Sequence, residues 1–289
     1  MSEARLEKVL AVGAALGEGP VWSTGQQRLW FVDIDGKRLH SVDPAKGAHD
    51  AWDLAENAGC IAPARDGGFI AGMRSGIWRL DDQGRQTRKL ADNPHDPATS
   101  RFNDGRTDPA GRFLVGTIDE AKTGGVAALY RWDRRGLATL SDGLMTSNGL
   151  AFSPDGRTLY HSDTPRFVIY RYDYDPATGA AENRREFARL DPDAPDRGRP
   201  DGAATDADGC YWSSLWDGGR LHRYDPDGRL MAAYPLPVRR PTMPCFGGPD
   251  LKTLFVTTAR NADGQDGGDL YAMPVETPGV ASTPFDPAV

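Results

Sequence analysis

The stretch SNGLAFSPDGRTLYHSD at residues 147–163 sets a Pro-Asp-Gly turn at 154–156 directly before a short strand, TLYHSD at 158–163. Pro fixes φ for the turn, Gly supplies the freedom to complete it, and the apolar and aromatic run that follows reads as a strand. The same phrase recurs in both directions along the chain. Turns centred on Gly25, Gly67, Gly111, Gly156, Gly209 and Asp250 stand 42, 44, 45, 53 and 41 residues apart, the period of a propeller blade. A strand follows each turn: 28–33 (RLWFVD), 68–73 (GFIAGM), 112–117 (RFLVGT), 158–163, 210–215 (CYWSSL) and 253–258 (TLFVTT). A third strand follows in every copy, at 39–43, 77–81, 129–133, 169–173, 221–225 and 270–275, and all but the last end in Asp, which suits a turn.

No window keeps a helical apolar stripe, and 34 Gly and 22 Pro favour strands joined by turns. Length alone, 289 residues, allows one large β domain or two ordinary ones. The repeats decide for an all-β chain, a six-bladed β-propeller with four-stranded antiparallel blades, forming one domain over 1–289 with very little helix. The last copy runs too close to the C-terminus to supply its own fourth strand. LEKVLAV at 6–12 is expected to pair there and close the ring, hiding sheet edges that invite aggregation.

Composition narrows the partners. With 39% hydrophobic and 26% charged residues the chain has material for a core. A net charge of −7 without a long Lys or Arg run argues against nucleic acid. Cys60, Cys210 and Cys245 are scattered without C-x-x-C spacing, suggesting neither disulfides nor a zinc ribbon. The first residues, MSEARLEKVLAVG, lack a cationic leader with an apolar core, and nowhere do eighteen apolar residues run together. A cytoplasmic protein without a membrane partner is the expectation, and nothing demands more than a monomer.

In a propeller the first strand of each blade lines the channel, and here that strand precedes the Gly turn. Counting back seven or eight residues from Gly25, Gly111, Gly156 and Gly209 reaches Glu18, Asn103 or Asp104, Asn148, and Asp201. Blade two has Cys60 and Ile61 at that height, and blade six has Pro241, Thr242 and Met243, so those walls are less polar. Asn148-Gly149 and Pro200-Asp201-Gly202 would ordinarily read as turns. Their register argues otherwise: Pro154-Asp155-Gly156 and Pro226-Asp227-Gly228 sit directly before strands, whereas Pro200-Asp201-Gly202 sits one inner strand earlier. Glu18, a poor turn residue, stands at the matching height in blade one. Carboxylate and amide oxygens of this kind suit one hard divalent cation, Ca²⁺, Mg²⁺ or Mn²⁺, with Zn²⁺ or Fe²⁺ tolerated but not indicated.

Strand direction places the connections between second and third strands over this mouth. Those at 119–125, 163–167, 216–219 and 260–267 are rich in charge and glycine and suited to a polyhydroxylated ligand. Arg101, two residues before Asn103, stands where it can hold a hydroxyl or carbonyl oxygen, and Asp119 and Glu120 are further candidates. The five histidines do not cluster, and no G-x-S-x-G elbow, P-loop or dinucleotide fingerprint is present.

LGEGPVW at 16–22, RFNDGRTDPAGR at 101–112, SNGLAFSPDGRTLY at 147–160, RPDGAATDADG at 199–209 and PCFGGPDLKTLFVTTAR at 244–260 together resemble the SMP-30/gluconolactonase/luciferin-regenerating-enzyme-like family, nearly end to end. The resemblance implies a six-bladed propeller that hydrolyses sugar aldonolactones, such as gluconolactone, xylonolactone or arabinonolactone, with one bound divalent metal. It carries metal ligation onto Glu18, Asn148 and Asp201, and substrate contact onto Arg101 and Asn103. It makes Asp201 the general base as well, and either Asp119 or Glu120 an acidic sugar contact. On that reading the metal polarises the lactone carbonyl while Asp201 draws a proton from attacking water. A calcium-binding regulatory propeller without turnover is the rival reading, and phosphotriester hydrolysis is a conceivable side activity.

Overall fold

The computed structural model describes residues 5–122, 124–261, 264 and 266–289. Its 24 strands form six four-stranded antiparallel sheets, and a single 3-10 turn at Thr164–Arg166 is its one named helical element. Each blade opens with an inner strand: Gly17–Ser23, Ala58–Pro63, Ser100–Thr107, Ser147–Phe152, Arg199–Thr205 and Pro241–Gly247. Each inner strand touches the inner strands of the two adjacent blades, so the six enclose a channel. The chain is thus a six-bladed β-propeller. Among the described residues no helix is long and apolar enough to cross a membrane.

The second strands at Arg28–Asp33, Thr158–Asp163 and Thr253–Thr258 have the bounds that their sequences predict. In blade four the third strand runs on to Asp175, and Asp175 rather than Asp173 receives the turn amide, from Ala177 at 2.9 Å. In blades two, three and five the closing Asp does as expected: Asp81, Asp133 and Asp225 each accept an amide two residues on.

The core is a ring of six apolar layers, one at each blade boundary. Continuously apolar second strands make this possible, because each faces a neighbouring blade on both sides. Trp30 of blade one meets Phe69 of blade two edge to face at 4.9 Å, and Trp22 stacks on Phe255 of blade six at 6.0 Å. The remaining boundaries are filled by groups around Phe102 and Phe113, Leu150 and Tyr172, Tyr160 and Tyr211, and Trp212 and Phe246. A fully buried side chain of this size contributes roughly 1.5–3 kcal/mol relative to exposure.

The ring closes as expected. Glu7–Leu10 pairs antiparallel with Leu270–Pro274 as the outer strand of blade six, with Glu7 opposite Ala272 and Lys8 opposite Tyr271. Leu6 drops into the layer between blades five and six. The segment after Val275, to which sequence patterning assigned nothing, crosses the turn end of the propeller. Gly279 bridges to Asp206, Phe285 pairs with Ala64, and the Asp286 amide donates to the Gly111 carbonyl at 2.9 Å, tying blades five, two and three together.

Because Leu6 anchors the closing strand, Leu6→Ala should lower unfolding stability by roughly 2–5 kcal/mol in denaturant titration. A loss below about 0.5 kcal/mol, the range of ordinary surface substitutions, would mean that the N-terminal strand does not hold the ring.

Candidate active site

Every inner strand slips register by one residue near the channel mouth. Glu18 lies opposite Val32 while Val21 lies opposite Trp30, and Asn148 lies opposite Ser162 while Ala151 lies opposite Tyr160. The same slip separates Phe102 from Gly105, Pro200 from Ala203, Ala58 from Cys60 and Pro241 from Met243. One extra residue forms a bulge, bends the strand and re-aims its side chains. Asn148-Gly149 and Asp201-Gly202 therefore stand inside strands, as their register required, and not at turns. Gly149 has φ +62°, and a Cβ there would sit 2.5 Å from the Tyr211 hydroxyl and 3.0 Å from the Asp201 carbonyl oxygen. Only glycine fits both constraints.

The bulges bring Glu18, Arg101, Asn103, Asn148 and Asp201 to one cavity of about 380 Å³. All five are buried. Four form a chain of hydrogen bonds: Arg101 Nη1 donates to Asn103 Oδ1 (2.6 Å), Asn103 Nδ2 to Asn148 Oδ1 (2.7 Å), and Asn148 Nδ2 to Asp201 Oδ1 (2.6 Å). Asn148 Nδ2 also donates to Thr164 Oγ1 (2.8 Å), whose hydroxyl donates in turn to the Pro200 carbonyl (2.7 Å). Each amide is thus locked in one orientation. Glu18 Oε2 accepts its own neighbour's amide, from Gly19 at 3.0 Å.

Asp33 and Asp163 support the mouth from behind. They occupy one register position at the ends of second strands, opposite Gly17 and Ser147. Asp33 accepts the amides of Ala15 and Leu16, and Asp163 those of Met145 and Thr146, which steers the chain into each inner strand. Asp119 occupies the equivalent place opposite Ser100 and is buried, with Oδ2 accepting the Gly124 amide at 3.3 Å. Glu120 lies at the rim, gripped by both terminal nitrogens of Arg74 at 2.8 and 3.0 Å and 3.7 Å from Arg101 Nε. Neither is among the residues lining the cavity. Of the connections expected to overhang the mouth, those at 119–125, 163–167 and 216–219 contribute Lys122, Thr164 with Pro165, and Trp216 to the lining. Residues 123, 262, 263 and 265 of these connections lie outside the described residues.

Electrostatically the floor is unsettled. Burial, reinforced by the charge of Asp104, pushes the Glu18 carboxyl up to about 8. Asp201 is pushed well above the usual carboxylate range by burial first, then by Glu18 and Asp104. Asp104 belongs to the next tier down, where Oδ2 accepts the Leu150 amide at 2.8 Å. Among the described residues no three His, Cys, Asp or Glu gather as metal ligands. The donor set is instead two carboxylates and an amide. It fits one hard dication: among the described residues neither carboxylate is ion-paired, and Asn148 Oδ1, holding one hydrogen bond, keeps a second lone pair.

The residues 16–260 match the SMP-30/gluconolactonase/LRE-like region, and the chain belongs to that family. It is 45% identical to a 6-deoxy-6-sulfogluconolactonase of Pseudomonas putida over 97% of this chain and 98% of that one. It is 38% identical to the pentonolactonase XacC of Haloferax volcanii, over 90% and 87% of the two chains. The crystal structure of a calcium-binding protein, regucalcin, from Agrobacterium tumefaciens superposes with a TM-score of 0.89 at 28% identity, covering 96% of each chain.

Sequence patterning missed Arg199 and Arg240, which line the cavity, and reached Lys122 and Trp216 only as members of the connections expected over the mouth. One signal was available for the first: Arg199 precedes Asp201 by two residues, as Arg101 precedes Asn103.

Raising the Glu18 pKa from 4.5 to about 8 means that the folded, metal-free protein holds a proton that the unfolded chain releases across that window. Its contribution to stability is complete below the lower value and is lost as pH rises through the upper one. In EDTA, the melting temperature of wild type minus that of Glu18→Gln should therefore fall between about pH 5 and about pH 8.5. A difference independent of pH would show that Glu18 is not held protonated by its surroundings.

Proposed function

We propose that this chain is a metal-dependent sugar lactonase that opens an aldonolactone to the aldonic acid. The carrying observation is the pair of buried carboxylates, Glu18 and Asp201, on the floor of one cavity, with Asp201 linked through two amides to a buried arginine. Membership of a family whose relatives include named lactonases supports the reading.

Glu18, Asn148 and Asp201 would hold the divalent ion, which when bound supplies Lewis acidity toward a carbonyl oxygen. Asp201 is the general base. Its Oδ1 is fixed by Asn148 Nδ2, and Oδ2 is left to take a proton from water attacking the lactone carbonyl carbon. The ring C–O bond then breaks, and that proton passes to the departing ring oxygen as the new hydroxyl. Asn103 and Thr164 keep Asn148, and through it Asp201, in place. Arg101 binds a ring hydroxyl while Glu120 and Arg74 hold its far side. Leu16, Ile34, Ile118 and Trp216 give the C–H faces of the sugar an apolar wall and exclude water.

Acid release from gluconolactone and xylonolactone tests this, comparing EDTA-treated protein with protein reloaded with Ca²⁺, Mg²⁺, Mn²⁺ or Zn²⁺. Activity should vanish with EDTA and return with metal, and Asp201→Asn should lower kcat on the order of 10²-fold or more. Tight calcium binding with no acid release from any lactone would favour a regulatory role instead, the reading to which the calcium-binding structural relative lends support.

A further inference from the structure

Arg199 and Arg240 stand on the cavity wall where blades five and six meet. Both reach one carboxylate: Arg199 Nη2 pairs with Asp217 Oδ2, and Arg240 Nε donates to Asp217 Oδ1 at 2.9 Å. Two guanidinium groups, always charged, thus share a single negative charge. Burial alone would raise Asp217, yet the two arginines hold it below its ordinary value. Arg240 lies over the Trp216 ring, 4.9 Å from its centroid, and this fixes the plane of its guanidinium. Gly198 and Gly218 approach so closely that a Cβ on Gly198 would lie 2.8 Å from the Gly218 Cα. That contact presses the 217–219 loop onto the start of the Arg199 strand and sets Asp217, at φ +59°, between the arginines. Lys122, from the blade-three connection, and Arg101 are the other cations of the lining.

This positive wall is local. The chain carries a net −7, and the carboxylates of the same cavity, Glu18 and Asp201, lie on its floor, where the metal reading assigns them to the ion. Arg199 stands two strand residues from Asp201, a rise of roughly 7 Å along the channel, comparable to the breadth of a sugar ring with its exocyclic carbon. A substrate with its carbonyl at the floor would place its far end against Arg199 and Arg240. Paired guanidinium forks match the oxygens of a carboxylate, sulfonate or phosphate, whereas a hydroxyl would leave their charge unanswered.

We infer that the lactone opened here carries an anionic group at the end remote from its carbonyl, bound by Arg199 and Arg240 between blades five and six. This rests on the lactonase reading and narrows it to acidic sugar lactones. The test compares kcat/KM for gluconolactone with that for its counterparts bearing a sulfonate, a phosphate or a carboxylate at the sixth carbon. In wild type at least one anionic substrate should exceed the neutral one by roughly ten-fold or more, and added salt should shrink the ratio. Arg199→Gln and Arg240→Gln should each lower the anionic-to-neutral ratio roughly ten-fold, chiefly through KM for the anionic substrate. Asp217→Asn, which keeps a residue tolerant of φ +59° while freeing the guanidinium charge, should raise the ratio. A loss of local structure would not move the arginine and aspartate variants in opposite directions. A wild-type ratio near or below one, or a ratio unchanged in both arginine variants, overturns the inference and leaves the lactonase reading standing. Failure to open any lactone overturns that reading, and the inference with it.

Discussion

Glu18 and Asp201 are buried on blades one and five, which blade six separates, and among the described residues neither is ion-paired, Arg101 and Arg199 acting on them only through space. Holding charge in such a place costs several kcal/mol per ion unless a counter-charge arrives. The channel mouth is built around that cost. Inner-strand bulges turn the two carboxylates toward a common space, and Asn148 reaches Asp201 only through its amide, which carries no charge of its own. Arg101, the cation of the hydrogen-bonded chain, is kept two amides away from Asp201 by Asn103 and Asn148. A pair of buried carboxylates without an ion-pair partner fits a dication, and the pair stays in place because six apolar blade boundaries leave the inner strands no alternative packing.

The fold was largely legible because its signals are local and repeated. RLWFVD, TLYHSD and TLFVTT are bounded by turn residues on one side and by the mouth on the other, and their limits came out as read. The closing strand was legible for a different reason: blade six lacked a fourth strand and LEKVLAV was the unassigned apolar segment. The C-terminal crossing was not legible. It makes scattered single bridges to Asp206, Ala64 and Gly111 rather than a periodic ladder, so nothing in its spacing marks it.

The site was legible where it lies on strands and obscure where it lies on loops. Glu18, Asn103, Asn148 and Asp201 shared a height that counting recovers, and the bulge explains why Asn-Gly and Asp-Gly occur there without making turns. Asp119 shows the opposite case. Sequence left it and Glu120 as alternatives for one acidic sugar contact, and the structure gives it the register of Asp33 and Asp163, residues that tie backbone amides. Lys122 and Trp216 belong to connections that strand direction had placed over the mouth, whereas Arg240, on the link into blade six, follows no period. Their meeting depends on the whole ring closing, and only the assembled molecule displays it.

On the proposed reading, one divalent ion completes the charge of Glu18 and Asp201. Calorimetric titration of EDTA-stripped protein with Ca²⁺ or Mn²⁺ near pH 7, repeated in two buffers of different ionisation enthalpy, tests it most directly. Because both carboxyls are held above their ordinary range when metal-free, binding should show one ion per chain with net proton release to the buffer, and both signals should disappear in the Glu18→Gln, Asp201→Asn double variant. Binding without proton release, or binding that survives in the double variant, would contradict the account.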